Sequence, residues 1–200
     1  AITAANPACY VNGKYIFLSR PRRFGKSLLL STIKAYFQGK KELFDGLAIS
    51  KLEQDWESYP VLHVDLNVGL YTSTEGLWEA LNSNLSFLET TFGIAKETND
   101  NAQRFRDIIW KLATKTGKKV VILIDEYDKP LLQAIDNETL QQDYRNALKA
   151  FYSNIKTCDE YIRFAMLTGV SKFSKISLFS DLNNLTDISL DERYADICGL

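Results

Sequence analysis

The chain has 200 residues, 46% hydrophobic and 12% aromatic, with a net charge of −1. That content fills a sizeable core in one large domain and excludes a disordered chain. The near-zero charge gives no global case for binding nucleic acid or a membrane surface; the basic charge is local, gathered between Arg20 and Lys26.

Three cysteines, Cys9, Cys158 and Cys198, lie far apart and form no C-x-x-C pair. Neither a disulfide framework nor a structural zinc site follows from them, and reduced thiols in a cytosolic protein are expected. No stretch has the length needed to span a bilayer. Ala1 to Pro7 does not read as a signal peptide, and the first residue is not Met. Residues 1–200 therefore read as a single domain and as a piece of a longer protein.

The first predicted strand, Tyr15–Ser19, runs into a loop ending in Gly25-Lys26-Ser27. A helix over 26–38 follows, with Leu28, Leu29, Ile33, Tyr36 and Phe37 at helical spacing and Gly39 as its stop. Strand, loop and helix in this order are the setting of a phosphate-binding loop. Backbone N–H groups and the helix N-terminus attract phosphate oxygens. Lys26 would reach the β and γ phosphates, and the Ser27 hydroxyl would ligate Mg²⁺. The consensus asks for Gly at position 20, where this chain has Arg20. An arginine there must avoid positive φ or be strained, so a variant loop with its turn fixed by Pro21 is expected. A solvated basic turn would account for Arg20, Arg22 and Arg23 equally well.

Leu43 to Ile49 forms a connector, and Asp55 to Pro60 leads into a second strand over Val61–Asn67. His63, the sole histidine, reads as a packed strand residue, and its isolation all but excludes a Ser-His-Asp hydrolase. Thr74 is the expected cap of a helix over 75–92. A polar linker over 95–101 precedes a helix over 102–116, which Gly117 ends.

Val120–Asp125 is an unbroken apolar run ending in acids, as in a parallel strand buried on both faces. Asp125 has the position of a carboxylate that holds the Mg²⁺ shell. Glu126 follows and is the candidate to polarise an attacking water. A solvated strand end is the plainer alternative for both acids. Lys129 to Leu132 is a short connection. A helix over 138–154 carries Leu140, Tyr144, Ala147, Leu148 and Phe151 as a core stripe. A fourth strand over 161–167 ends at Thr168-Gly169. Residues 171–179 read as irregular with helical turns, and 186–190 as a last strand.

Strands alternate with helices throughout. The pattern predicts an α/β fold, a largely parallel sheet with helices on both faces. Ligands then bind beyond the carboxyl ends of the strands. The Ser19-to-Ser27 loop, the Asp125-Glu126 pair and Thr168 all lie at that edge.

The Arg20-to-Ser27 loop, the Val120-to-Pro130 segment and the Phe164-to-Phe173 segment together resemble the AAA-ATPase-like family, found in bacteria with archaeal and eukaryotic relatives. The resemblance covers nearly the whole chain. It implies a three-layer P-loop ATPase sandwich with strand order 5-1-4-3-2 and a polar sensor residue, here Thr168, on the strand between the two Walker strands. It implies that Arg20, Pro21, Arg22, Arg23, Phe24, Gly25, Lys26, Ser27 and Leu28 bind the triphosphate of ATP. Ser27 and Asp125 would serve Mg²⁺, and Glu126 would activate water. Family members usually carry a nuclease-like domain of the PD-(D/E)XK class after the ATPase core.

Three activities fit these residues: Mg²⁺-dependent ATP hydrolysis, a nucleotide-gated switch with little hydrolysis, and phosphate transfer to a small molecule. The adjacent Asp125 and Glu126 favour water as the acceptor. Arg145, Arg163 and Arg193 are candidate arginine fingers in cis. A second copy in a homo-oligomer, or a partner protein, would supply one otherwise. No basic patch studded with aromatics independently supports nucleic-acid binding.

Overall fold

A computed structural model describes residues 13–172, 178–179 and 184–198. Cys9 and most of the stretch expected to be irregular, 171–179, lie outside the described residues.

Five strands form one sheet: β1 (Tyr15–Ser19), β2 (Val61–Asp65), β3 (Val120–Asp125), β4 (Ile162–Gly169) and β5 (Leu185–Asp187). Their spatial order is β2-β3-β4-β1-β5, and every pairing is parallel. Counted from the β5 edge, this is the expected 5-1-4-3-2. The helices are α1 (Lys26–Phe37), α2 (Ile49–Leu52), α3 (Thr74–Phe92), α4 (Asn101–Thr116), α5 (Lys129–Gln133) and α6 (Glu138–Thr157).

The period of two along each strand divides the core into two layers. Phe17, Leu62, Val64, Ile122, Ile124 and Leu167 face α3, α4 and α6. Leu18, Leu123 and Met166 face Leu29, Leu30, Ile33 and Phe37 of α1. All six residues of β3 are buried, which is why that run shows no polar alternation. An irregularity in the β3–β4 pairing sets Val120 against Ile162 but Val121 against Phe164. Arg163 is the skipped residue, and it is exposed at the amino end of β4.

Several boundaries differ from the sequence expectation for local reasons. Ser73, not Thr74, caps α3: its hydroxyl accepts from the Gly76 N–H at 3.4 Å. Asp100 caps α4, accepting from Ala102 and Gln103. The expected connection after the β3 acids is the helix α5, with Pro130 in its first turn, where a missing N–H is harmless. The last strand is shorter than expected and lies over 185–187.

Arg104 of α4 is 1% exposed and reaches α3. Its Nε and Nη2 donate to the two carboxylate oxygens of Glu89, at 2.9 and 2.7 Å. Nη1 donates to Asn82 and Asn101, and Nη2 also to Ser86. All five guanidinium N–H groups are thereby used. Among the described residues no helix is long and apolar enough to cross a membrane.

Candidate functional site

The carboxyl ends of β1, β3 and β4 meet at one edge of the sheet. Beyond β1 the chain is tied down before it turns. The Arg20 N–H donates to the Gly169 carbonyl at 3.1 Å. The Ser19 N–H donates to the Ser189 hydroxyl at 2.8 Å. The Arg20 guanidinium donates to the Ser189 carbonyl. Arg20 is not among the residues with positive φ. It stands at the consensus glycine position without strain, and its side chain braces β1 to the segment after β5.

The left-handed positions fall later, at Arg23 (φ 66°) and Gly25 (φ 76°). A Cβ on Gly25 would lie 2.6 Å from the Cys198 carbonyl oxygen, so this position needs glycine for its φ and for the close approach. Gly25 also starts α1. No side chain caps that helix, its first turn carries no acid, and the Leu29 N–H is the one bonded back to the Gly25 carbonyl at 2.9 Å. The N–H groups before Leu29 are therefore available to an anion.

Lys26 is 4% exposed. Its ammonium donates to the carbonyls of Arg20 and Pro21, at 3.1 and 3.2 Å, and pairs with Glu126 at 3.2 Å. The Ser27 hydroxyl donates to Asp125 Oδ2 at 2.6 Å. Thr168 donates to Asp125 Oδ1 at 2.6 Å, far shorter than its 3.4 Å approach to the Ile124 carbonyl, so the carboxylate is its partner. Asp125 is thus held on both oxygens by hydroxyls from α1 and β4.

Glu126 has φ 54°, a backbone conformation that costs a residue with a Cβ about 1 kcal/mol or more. The turn that imposes it is fastened on the far side. The Tyr127 N–H donates to the Thr168 carbonyl at 3.0 Å. The buried Asp128 carboxylate accepts from the N–H groups of Val170 and Ser171. A Cβ on Gly169 would come within 2.4 Å of the Tyr127 ring, so β4 must end in glycine for this turn to pack against it.

These groups surround a cavity of about 530 Å³ lined by Arg22, Arg23, Lys26, Ser27, Glu126 and Lys129, among others. Gly25 and Leu28 also line it, but the Leu28 side chain is 61% exposed, leaving its backbone as the part suited to an anion. Arg20, Pro21, Phe24 and Asp125 do not line it. Asp125 reaches it through Ser27. Thr168 is fully buried and reaches it only through Asp125, so it positions that carboxylate. None of the three expected arginine fingers lines the cavity. Arg145 bonds Gln141 and Gln142 on its own helix, Arg193 pairs with Asp191, and Arg163 lies 5.9 Å from the Tyr59 ring centre at the opposite end of the sheet. Asn67, Lys129 and Gln133 do line it and had no sequence signal beyond their proximity to strand ends.

A second cavity, of about 430 Å³, lies among α3, α4 and α6. It is lined by Leu77, Trp78, Leu81 and Phe151 and has no converging cations; its Asp100 is already engaged as the α4 cap. Burial pushes the Cys198 thiol up from its ordinary value, against the nearby charges of Arg20 and Lys26.

The donor set suits a hard cation. Ser27 and Asp125 bring a hydroxyl and a carboxylate oxygen together, and among the described residues no cluster of three or more His, Cys, Asp or Glu could hold a metal alone. A cation here would complete its shell with water and phosphate oxygens, as Mg²⁺ does.

A parallel three-layer sandwich with a lysine loop after β1, an acid after β3 and one strand between them is P-loop NTPase-like. The sequence profile of the family described as "Predicted AAA-ATPase" matches residues 8–179, and the chain belongs to this AAA-ATPase-like family. A nucleotide is the partner that the family description supports. The chain is also 44% identical, over 188 residues, to an "Uncharacterized protein in vnfD 5'region" of Azotobacter chroococcum mcd 1. The alignment takes in 94% of this chain and 36% of that relative, so the chain spans about a third of the relative's length. No solved structure matches the chain.

Proposed function

We propose that this domain binds ATP with Mg²⁺ and hydrolyses it. The observation that carries the reading is the junction of two paired sets at one cavity: Lys26 with Glu126, and Ser27 with Asp125. Phosphate oxygens lie against the free N–H groups of the first turn of α1 and compete with Glu126 for Lys26. Glu126, released from the lysine, accepts a hydrogen bond from water and orients it in line with the terminal phosphorus. The water oxygen bonds to phosphorus as the bond to the bridging oxygen breaks. The water's proton passes to Glu126 or phosphate, and the electron pair leaves with the diphosphate. Ser27 and Asp125 would hold Mg²⁺, with Thr168 fixing the carboxylate, and the ion would neutralise charge on the phosphates.

The Lys26–Glu126 contact also favours a second reading, a nucleotide-gated switch with slow turnover. A base engaged with a lysine is not free to orient water until the phosphates displace it. In that reading the effector lies in a further region such as the longer relative has room for, and the nuclease-like domain of the family resemblance is the candidate.

Calorimetric titration with ATP in the presence of Mg²⁺ tests both readings, with phosphate release followed in the same samples. Binding and turnover in the wild type, both lost in Lys26→Ala, with binding alone retained in Glu126→Gln, is the expected result. Binding without turnover in the wild type selects the switch. Absence of binding in the wild type overturns both.

A further inference from the structure

Lys129 is the first residue of α5 and lines the same cavity as Lys26. Its ammonium donates to the main-chain carbonyl of Asn67 and, at 2.9 Å, to the Asn67 side-chain oxygen. Both acceptors are neutral. Among the described residues no carboxylate lies within ion-pair distance of it. Lys26, in contrast, faces Glu126 at 3.2 Å. The cavity therefore holds one lysine whose charge is offset and one whose charge is not.

Position adds to charge. The Lys129 N–H donates to the Glu126 carbonyl at 3.0 Å, so a single tight turn joins the two residues. Both side chains line the one cavity. Lys129 is partly buried, and a charge in such a place is screened less by salt and water than one on the open surface. Arg22 and Arg23, in the loop before α1, also line the cavity, whereas Arg145, Arg163 and Arg193 do not; Lys129 is the cation joined by a turn to Glu126.

We infer that Lys129 is a substrate-facing cation of this site, which moves from Asn67 to a terminal phosphate oxygen and sets the preference for a nucleoside triphosphate over a diphosphate. The inference rests on the nucleotide-binding reading above. Lys26 reaches the β phosphate that both nucleotides carry as well as the terminal one, whereas Lys129 meets only the charge that the triphosphate adds. During hydrolysis it neutralises that charge from within the chain.

The test is calorimetric titration of the wild type, Lys129→Gln, Lys129→Arg and Asn67→Asp with MgATP and with MgADP, each variant checked by thermal melting. Lys129→Gln is expected to weaken ATP about tenfold and ADP by less than about twofold. Lys129→Arg restores most of the preference. Asn67→Asp keeps the lysine but gives it a carboxylate partner, and lowers the preference as Lys129→Gln does; it decides the matter if Lys129→Gln folds poorly. Equal losses for both nucleotides, or unchanged ATP affinity in the variants of a wild type that binds, overturn this inference alone. A wild type that binds neither nucleotide overturns the nucleotide reading, and this inference with it.

Discussion

Arg104 in α4 and Lys26 in α1 each bury a cation against a carboxylate, yet the two regions differ in how completely the charges are enclosed. Arg104 meets Glu89 through two parallel bonds, and its remaining N–H groups go to Asn82, Ser86 and Asn101, all at 3.0 Å or less. The Glu89 side chain is 9% exposed. Lys26 makes three contacts of 3.1 to 3.2 Å, two of them to loop carbonyls, and its partner Glu126 is 14% exposed beside the cavity. Neither member of the first pair lines either of the two cavities described above. The second has a competitor's path built next to it. A buried ion pair is neither a stability device nor a functional site by its charge alone; access decides.

Breaking the enclosed pair has the largest expected effect. Arg104→Met leaves Glu89 buried without a partner and lowers unfolding free energy by about 3–5 kcal/mol. The double variant Arg104→Met with Glu89→Leu recovers most of that loss, since no uncompensated charge remains. Urea denaturation measures both, and a double variant no more stable than the single one would falsify the enclosed-pair account. Nucleotide affinity is unchanged in whichever variant folds.

Lys26→Ala inverts that result. Glu126 borders the cavity and can turn to solvent, so stability falls by less than in Arg104→Met. Nucleotide affinity falls by more than about tenfold, or ~1.4 kcal/mol. Denaturation and calorimetry on one preparation separate the two effects. A large loss of stability with intact binding would mean that Lys26 belongs with Arg104 as a structural cation.

The contrast also marks what the sequence could and could not show. The parallel sheet was legible because β3 is apolar from end to end and strands alternate with amphipathic helices. Lys26, Ser27, Asp125 and Glu126 were legible because the motif residues sit next to strand ends. The task of Arg20 was not, since its guanidinium acts on Ser189, a residue brought alongside only by the β1–β5 pairing. Lys129 was hidden for a similar reason: it reads as part of a connection until α5 forms and points it at Asn67 from β2's side of the sheet. The arginine-finger candidates failed for separate reasons: Arg145 and Arg193 bond to neighbours on their own segments rather than line the cavity. Arg163 sits at the amino end of β4, on the far side of the sheet from Glu126.

Glu126 sharpens the comparison through its backbone. Its φ of 54° is a strain that Glu89, inside a regular helix, does not carry. Glu126→Gly removes that strain and the carboxylate together. It is expected to raise stability by up to about 1 kcal/mol while abolishing turnover, the pattern of a site whose geometry is held at the expense of the fold. Glu126→Gln keeps the strain and should leave stability near that of the wild type. If Glu126→Gly is no more stable than Glu126→Gln, the turn after β3 stores no strain.

His63, half-buried in β2, carries a buried polar atom with neither kind of partner. Its Nε2 is buried without a hydrogen bond, and burial, aided by the charge of Lys34, lowers its pKa from the ordinary value near 6.5, while Asp65 and Asp125 pull the other way. The unfolded chain therefore takes up the proton at a higher pH than the folded one does. Between the two pKa values the unfolded state binds more protons, so stability rises with pH there. The neutral imidazole's contribution is complete above about pH 6.5 and is lost as pH falls toward the lower folded value. Carboxylates add their own acid sensitivity, but equally to a His63→Gln variant. Because the chain has one histidine, the difference in slope between the two proteins isolates it. Urea midpoints compared at pH 7.5 and 5.5 should fall further for the wild type than for His63→Gln, by less than any effect above. Equal falls would show that His63 takes its proton in the folded state as easily as in the unfolded one, with the Asp65 and Asp125 charges offsetting its burial.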